Sequence, residues 1–212
     1  MTENIFGPQA RRKVLVTGMG RGGTSSVAAM LHHTGFNVSG DAPPRANFED
    51  EALRPLLIDG RIDELQRELE ARSARHPLVA WKDPKLHGDN GLELIRRLPD
   101  DWVLLAIFRD PVAIVSRRMI SDQVDFSQSM PSVMKFMGKL HNFVAEVQKS
   151  RKVIYVSYEK VVTEPVATIK GIYSMLGAEL DDGAAAALWA RMQRSQKEYL
   201  LHSDSPSRAL AE

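Results

Sequence analysis

Apolar runs of strand length alternate with amphipathic stretches of helix length along most of the chain, the order expected of a parallel α/β sheet. The first run is Val14-Leu15-Val16, ending at Thr17-Gly18. Leu78 to Trp81, Trp102 to Phe108 and Val153 to Val156 follow it. Continuous apolar runs of this kind suit strands covered on both faces. Phe36-Asn37-Val38 is a weaker fifth candidate. Helical periodicity covers Thr24 to His33, Asp50 to Arg75, Gly91 to Leu98, Pro111 to Ile120, Ser132 to Lys149, Pro165 to Leu176 and Asp181 to Leu201. The pattern predicts one α/β domain over residues 1–212, a parallel sheet of about five strands with helices on both faces. Residues 1–12 and 203–212 are expected to be flexible. No internal repeat or low-complexity tract interrupts it.

Composition narrows the chemistry. The chain has 212 residues, enough for a sizeable core, and no cysteine, which removes disulfides, thiolate nucleophiles and cysteine metal sites together. With 28 basic against 27 acidic residues it has no general attraction for nucleic acid or an anionic membrane. No apolar run approaches the ~18 residues of a membrane span. Met1 to Lys13 lacks the apolar centre of a secretory signal, so a cytoplasmic location is expected.

Four glycines crowd Gly18-Met19-Gly20-Arg21-Gly22-Gly23, directly after the first strand and before a helix. Glycines there let backbone N–H groups converge, and the helix start adds partial positive charge, which together cradle an anion, most often phosphate. A tight turn without a ligand is the plainer reading; the arginine inside the loop favours phosphate. Gly18 to Ser25 fits the P-loop frame G-x-x-x-x-G-K-[ST] except that Thr24 replaces the lysine. Gly18, Gly20 and Gly23 also fit a dinucleotide fingerprint, with Asp41 near the expected acidic position. The loop alone leaves both open.

Further segments point one way. Gly18 to Ser25 resembles the 5′-phosphosulfate loop of sulfotransferases that use 3′-phosphoadenosine 5′-phosphosulfate (PAPS), many of which read G-x-x-R-S-G-T-[ST]. Phe108-Arg109-Asp110-Pro111, followed by Ser116-Arg117-Arg118, resembles that family's 3′-phosphate element. Trp81-Lys82-Asp83-Pro84-Lys85 resembles the K-D-P-[RK] strand end of one bacterial-type branch. Asn47-Phe48-Glu49-Asp50 resembles a compressed N-x-x-G-x-x-E segment, and Tyr158-Glu159-Lys160-Val161 the turn after the last core strand. The matches run in family order over residues 14–165. Two departures stand out: Arg117 takes the nominal serine position one residue after Ser116, and no aromatic follows the loop to stack adenine.

The resemblance implies a P-loop-like topology with strand order 2-3-1-4-5, PAPS as donor, adenosine 3′,5′-bisphosphate (PAP) as product, and no metal. It places Gly20, Arg21, Gly22, Gly23, Thr24 and Ser25 around the 5′-phosphate, and Arg109 with Ser116 or Arg117 at the 3′-phosphate. Sulfuryl transfer depends mainly on positioning and electrostatics. Arg21 and Lys82 are the candidates to stabilise the leaving oxygen, and Glu49 is the candidate base, expected to stay too far from Lys82 for a standing ion pair. The acceptor is a small molecule, carbohydrate or lipid carrying a hydroxyl or amine; its identity and the oligomeric state are not encoded in these motifs.

The same residues have plainer readings. Asp50 can cap a helix, Lys82 can close a strand at the surface, and His32 and His33 can simply pack; His87 is the reserve base. Arg61 to Arg75 alternates charges like a solvated helix face, and Met119 to Met137 reads as core helix before it reads as a lid over the acceptor. Two other functions remain: a small-molecule or nucleotide kinase, with Asp83 holding magnesium, and a nucleotide-binding module without catalysis.

Overall fold

The computed structural model describes residues 5–7, 10–41 and 45–203, with side chains to residue 195; the tail from Asp204 lies outside them. Four strands, β1 (Arg12–Gly18), β2 (Leu78–Lys82), β3 (Trp102–Phe108) and β4 (Val153–Ser157), form a parallel sheet in the order β2-β1-β3-β4. The fifth strand expected at Phe36 to Val38 reduces to one parallel bridge, Asn37 to Val79. Counting that bridge, the order is the expected 2-3-1-4-5. The segment does not extend because Asn37 turns its side chain onto Gly40, donating to its carbonyl at 2.8 Å and accepting from its N–H at 2.9 Å.

Strand alternation builds two cores. Val14, Val16, Leu105, Ile107, Ile154 and Val156 face one side, where α1 (Thr24–His33), α8 (Pro165–Leu176) and α9 (Asp182–Ser203) cover them. Leu15, Val79, Trp81, Leu104 and Ala106 face the other, beneath α2 (Leu53–Ile58), α3 (Ile62–Arg75), α4 (Asp89–Arg97), α5 (Pro111–Ser121) and α6 (Phe126–Val147). The short helix α7 (Tyr158–Thr163) continues directly from β4. Arg12, expected in a flexible start, opens β1 and donates through Nε to the Leu176 carbonyl at 2.7 Å.

Three helical expectations change. The stretch expected as one helix from Asp50 to Arg75 is α2 and α3, parted at Gly60, whose φ of +71° suits glycine. Helix α6 starts at Phe126 rather than Ser132 and runs through Pro131, near enough to its start that little of the hydrogen-bond ladder is lost. The methionine-rich stretch is not wholly core: Met119, Phe126, Met134 and Phe136 are exposed, while Met130 and Met137 pack inward. No described helix is long and apolar enough to cross a membrane.

Candidate active site

In a parallel sheet the loops beyond the carboxyl ends of neighbouring strands share one crevice. Gly18, Lys82, Arg109 and Tyr158 stand at or just past those ends in the four strands. After β1 the chain turns at Met19, which is buried, with the Gly22 N–H donating to the Met19 carbonyl at 2.9 Å. Arg21 takes φ +65° and Gly23 φ +93°. At Gly23 the glycine is required twice over, because a Cβ would lie 2.1 Å from the Tyr158 ring. A Cβ at Gly20 would meet nothing within 4 Å, so the loop backbone is open there. Helix α1 starts without a side-chain cap and without an acidic residue in its first turn. That donor set suits the 5′-phosphate of a nucleotide.

The R-D-P unit after β3 is tied to this loop. Arg109 donates through Nη1 to the Arg21 carbonyl at 2.7 Å, and its guanidinium lies 4.9 Å from the centre of the Tyr158 ring. Asp110 caps α5 by accepting from the Ala113 N–H, with Pro111 pre-set for the first turn, while Glu159 accepts from the Asp110 N–H at 2.8 Å. Loop, R-D-P unit and Tyr158-Glu159 turn thus brace one another. Ser116 is exposed and Arg117 half-buried on α5. The Arg21 guanidinium bonds Asp122, at the end of α5, at 2.9 Å. Burial works against the Asp122 charge, but Ser121 and Arg21 hold its carboxyl below the ordinary range.

The second cluster sits at the end of β2. The Lys82 side chain is 1% exposed, and Nζ donates to the Asn47 carbonyl and to Glu49 Oε1, both at 3.0 Å. The expectation that Lys82 and Glu49 stand apart is therefore wrong: so deeply buried an ammonium draws in a carboxylate and a carbonyl. The other Glu49 oxygen takes a hydrogen bond from Arg54, on α2. Burial pushes the Lys82 ammonium down to about 7, with Arg54 adding to that push and Asp83 opposing it; the ion pair with Glu49 also favours the charged form. Ser25 donates to the same Asn47 carbonyl at 3.0 Å, and Thr24 is buried beside it at the helix start. Phe48, between Asn47 and Glu49, is buried at φ +57° with its ring against His32.

The reserve acids and bases divide. Asp50 accepts from the Ala52 and Leu53 N–H groups and pairs with buried Arg72, so it is a cap and an ion-pair partner rather than a base. Arg72 also corrects the solvated-face reading of α3. Asp83 is fully buried; one oxygen accepts from the Lys85 N–H at 2.7 Å, the other has no partner, and burial raises its pKa. His87 carries a buried, unpartnered Nδ1 and a ring edge-on to Phe136; burial lowers its pKa, partly offset by the Pro84 carbonyl. His32 also has its pKa lowered by burial, and His33 bonds Ser195. Asp41, wanted by the dinucleotide reading, is exposed beside Arg75 and His76. Among the described residues no group of three His, Asp or Glu side chains is placed to hold a metal ion.

Sequence reasoning missed Arg54, Asp122 and the part played by the Tyr158 ring. Only Tyr158 had a signal, since its motif was recognised but read as a turn.

The sequence profile described as "Sulfotransferase family" matches residues 80–182. Just under half of the chain thus carries the signature of that family. The matched stretch holds Lys82, Arg109, Ser116, Arg117 and Tyr158, whereas the glycine loop and Glu49 precede it. The sulfotransferase fold recurs in solved structures. The sulfotransferase domain of the Synechococcus PCC 7002 olefin synthase superposes with a TM-score of 0.55 at 15% identity, over 82% of this chain and 77% of that one. Sulfotransferase STF1 of Mycobacterium tuberculosis H37Rv gives 0.53 at 14%, over 90% and 76%. A sulfotransferase from Alicyclobacillus acidocaldarius gives 0.50 at 16%, over 93% and 98%. No curated protein sequence matches this one.

Proposed function

We propose that this protein is a sulfotransferase that moves a sulfuryl group from PAPS to a hydroxyl or amine of a small-molecule, carbohydrate or lipid acceptor, acting as one cytoplasmic domain over residues 1–212 and without a metal. The observation that carries the donor assignment is the Arg109 hydrogen bond to the Arg21 carbonyl, which couples a 3′-phosphate candidate to a 5′-phosphate loop. The loop N–H groups from Gly20 to Gly23, with Thr24 and Ser25, hold the 5′-phosphate. Arg109 holds the 3′-phosphate with Ser116 or Arg117. Glu49 takes the acceptor's proton as the acceptor oxygen or nitrogen bonds sulfur. The bond from sulfur to the bridging oxygen breaks, and Lys82 and Arg21 stabilise the charge left on PAP. His87 remains the alternative base.

Donor preference tests this reading against a kinase. PAP without metal is expected to raise the melting temperature, by about 5–11 °C at a hundredfold excess over its Kd. A shift with ATP and magnesium but none with PAP would favour the kinase. PAP binding without turnover across sugars, phenols, lipids and amines would favour the inactive module.

Arg109→Ala separates the two phosphates. Charged hydrogen bonds of this kind contribute about 1.5–3 kcal/mol, so PAP binding is expected to weaken about 10- to 100-fold. Adenosine 5′-monophosphate binding should weaken by no more than about threefold, the residual reflecting the loosened Arg21 carbonyl. Equal losses for both ligands, by calorimetry, would show that Arg109 acts only as a brace for the loop.

A further inference from the structure

The Glu49 carboxylate is shared by two cations of unequal freedom. Lys82 holds Oε1 from a site that is 1% exposed, and Arg54 holds Oε2 from a site that is 30% exposed. Lys82 and Ser25 both spend a donor on the Asn47 carbonyl. The Asn47-to-Glu49 segment thus takes the Ser25 hydroxyl donor and two of the three Lys82 N–H donors, groups that an incoming phosphosulfate would draw on. Lys82 has one further N–H, but while Glu49 neutralises the ammonium its charge is not available to the phosphosulfate in full, so turning to the donor loosens its hold on Glu49. A carboxylate released with no other partner would either keep hold of the lysine or leave the site.

Arg54 has the placement to prevent both. It is the second residue of α2, and its N–H donates to the Asp50 carbonyl at 3.0 Å. Asp50 fixes that helix start through two N–H groups, and is itself anchored by Arg72. Resting on the donor and base roles proposed above, we infer that Arg54 is a positioning residue: it retains Glu49 by its second oxygen when Lys82 transfers to the phosphosulfate, keeping the carboxylate beside the reacting centre. The groups facing Lys82 are Glu49, Arg54 and Asp83, the last with Lys85 next to it. Arg54 is the one cation among them that disfavours the charged lysine directly.

The test is calorimetric binding of PAPS and of PAP, without acceptor, to the full chain and to Arg54→Gln, Arg54→Lys and Arg54→Gln/Glu49→Gln. At pH 6, where Lys82 is protonated, Arg54→Gln is expected to weaken PAPS about fivefold and PAP by less than twofold, because Glu49 stays on the lysine. Arg54→Lys should recover most of the loss. The double variant should recover it too, since a neutral side chain no longer competes. With rising pH, PAPS affinity should decline as Lys82 loses its proton, and the midpoint should lie higher in Arg54→Gln. An unchanged PAPS-to-PAP ratio, equal weakening of both ligands, or an unmoved midpoint would each overturn this role while leaving the donor assignment intact. Failure of the unaltered chain to bind PAP would instead overturn the donor assignment, and this role with it.

Discussion

Arg72→Met is expected to lower the unfolding free energy by about 3–5 kcal/mol, the usual loss when one member of a buried ion pair is removed. For a chain of this size that corresponds to roughly 6–20 °C in melting temperature. The Arg72 side chain is 7% exposed and that of its partner Asp50 3%. Its Nε also bonds Glu68 at 3.0 Å, and the guanidinium lies so close to Gly40 that a Cβ there would meet its Cζ at 2.8 Å. Burial works against the Arg72 charge, yet Asp50 and Glu68 together raise its pKa. Methionine fills a similar volume but leaves one Asp50 oxygen buried with no cation. Asp50→Asn in the same chain should restore part of the loss by removing that charge, a coupling that a double-mutant cycle in urea would measure. A loss below about 1 kcal/mol would mean that water reaches Asp50 once Arg72 is gone. The damage should extend to the active site, because Asp50 fixes the start of the helix that carries Arg54.

Arg72 also marks where sequence reading stops. Acidic and basic residues recur at helical spacing around it, Asp63 with Arg67 and Glu68 with Arg72 itself, and that spacing looks the same for a solvated face and for a face with one cation turned inward. What decides is Asp50, 22 residues earlier, and nothing local encodes that pairing. The Glu49–Lys82 pair, 33 residues apart, was misjudged for the same reason. Strands and their faces were legible because alternation is local: Val14 and Val16 turn one way and Leu15 the other, as their order requires. The glycine loop was legible because few residue types tolerate its backbone, although it took the tertiary contact with Tyr158 to show which glycine is irreplaceable. The strand at Phe36 failed locally too, since Asn37 prefers its own turn. Exposed Met134 and Phe136 were read inward because apolar spacing on a helix does not say how wide its buried stripe is.

Lys82→Met is expected to separate activity from stability. With any acceptor that supports turnover, kcat should fall about 10²- to 10³-fold, the usual loss when one preorganised donor to a developing oxyanion is removed. PAPS affinity should fall no more than about tenfold, because the contact strengthens as the bridging oxygen gains charge. Glu49→Gln should also lower turnover, by ~10²-fold or more, while leaving PAP binding intact. Stability should move the other way for Lys82→Met. The native lysine titrates at about 7 against 10.5 for the free side chain. Between those values the unfolded chain holds a proton that the folded one has released, so this group makes stability rise with pH. The penalty of burying the ammonium is thus fully present below pH about 7 and relieved on the way to 10.5. Methionine removes the penalty, and Arg54 still pairs with Glu49 in its place. At pH 6 the variant should therefore melt no lower than the parent, and its stability should lose most of the rise between pH 7 and 9. A variant that melts several degrees lower at pH 6 would make the lysine a structural ion-pair partner. Intact turnover in that variant would move leaving-group stabilisation wholly to Arg21.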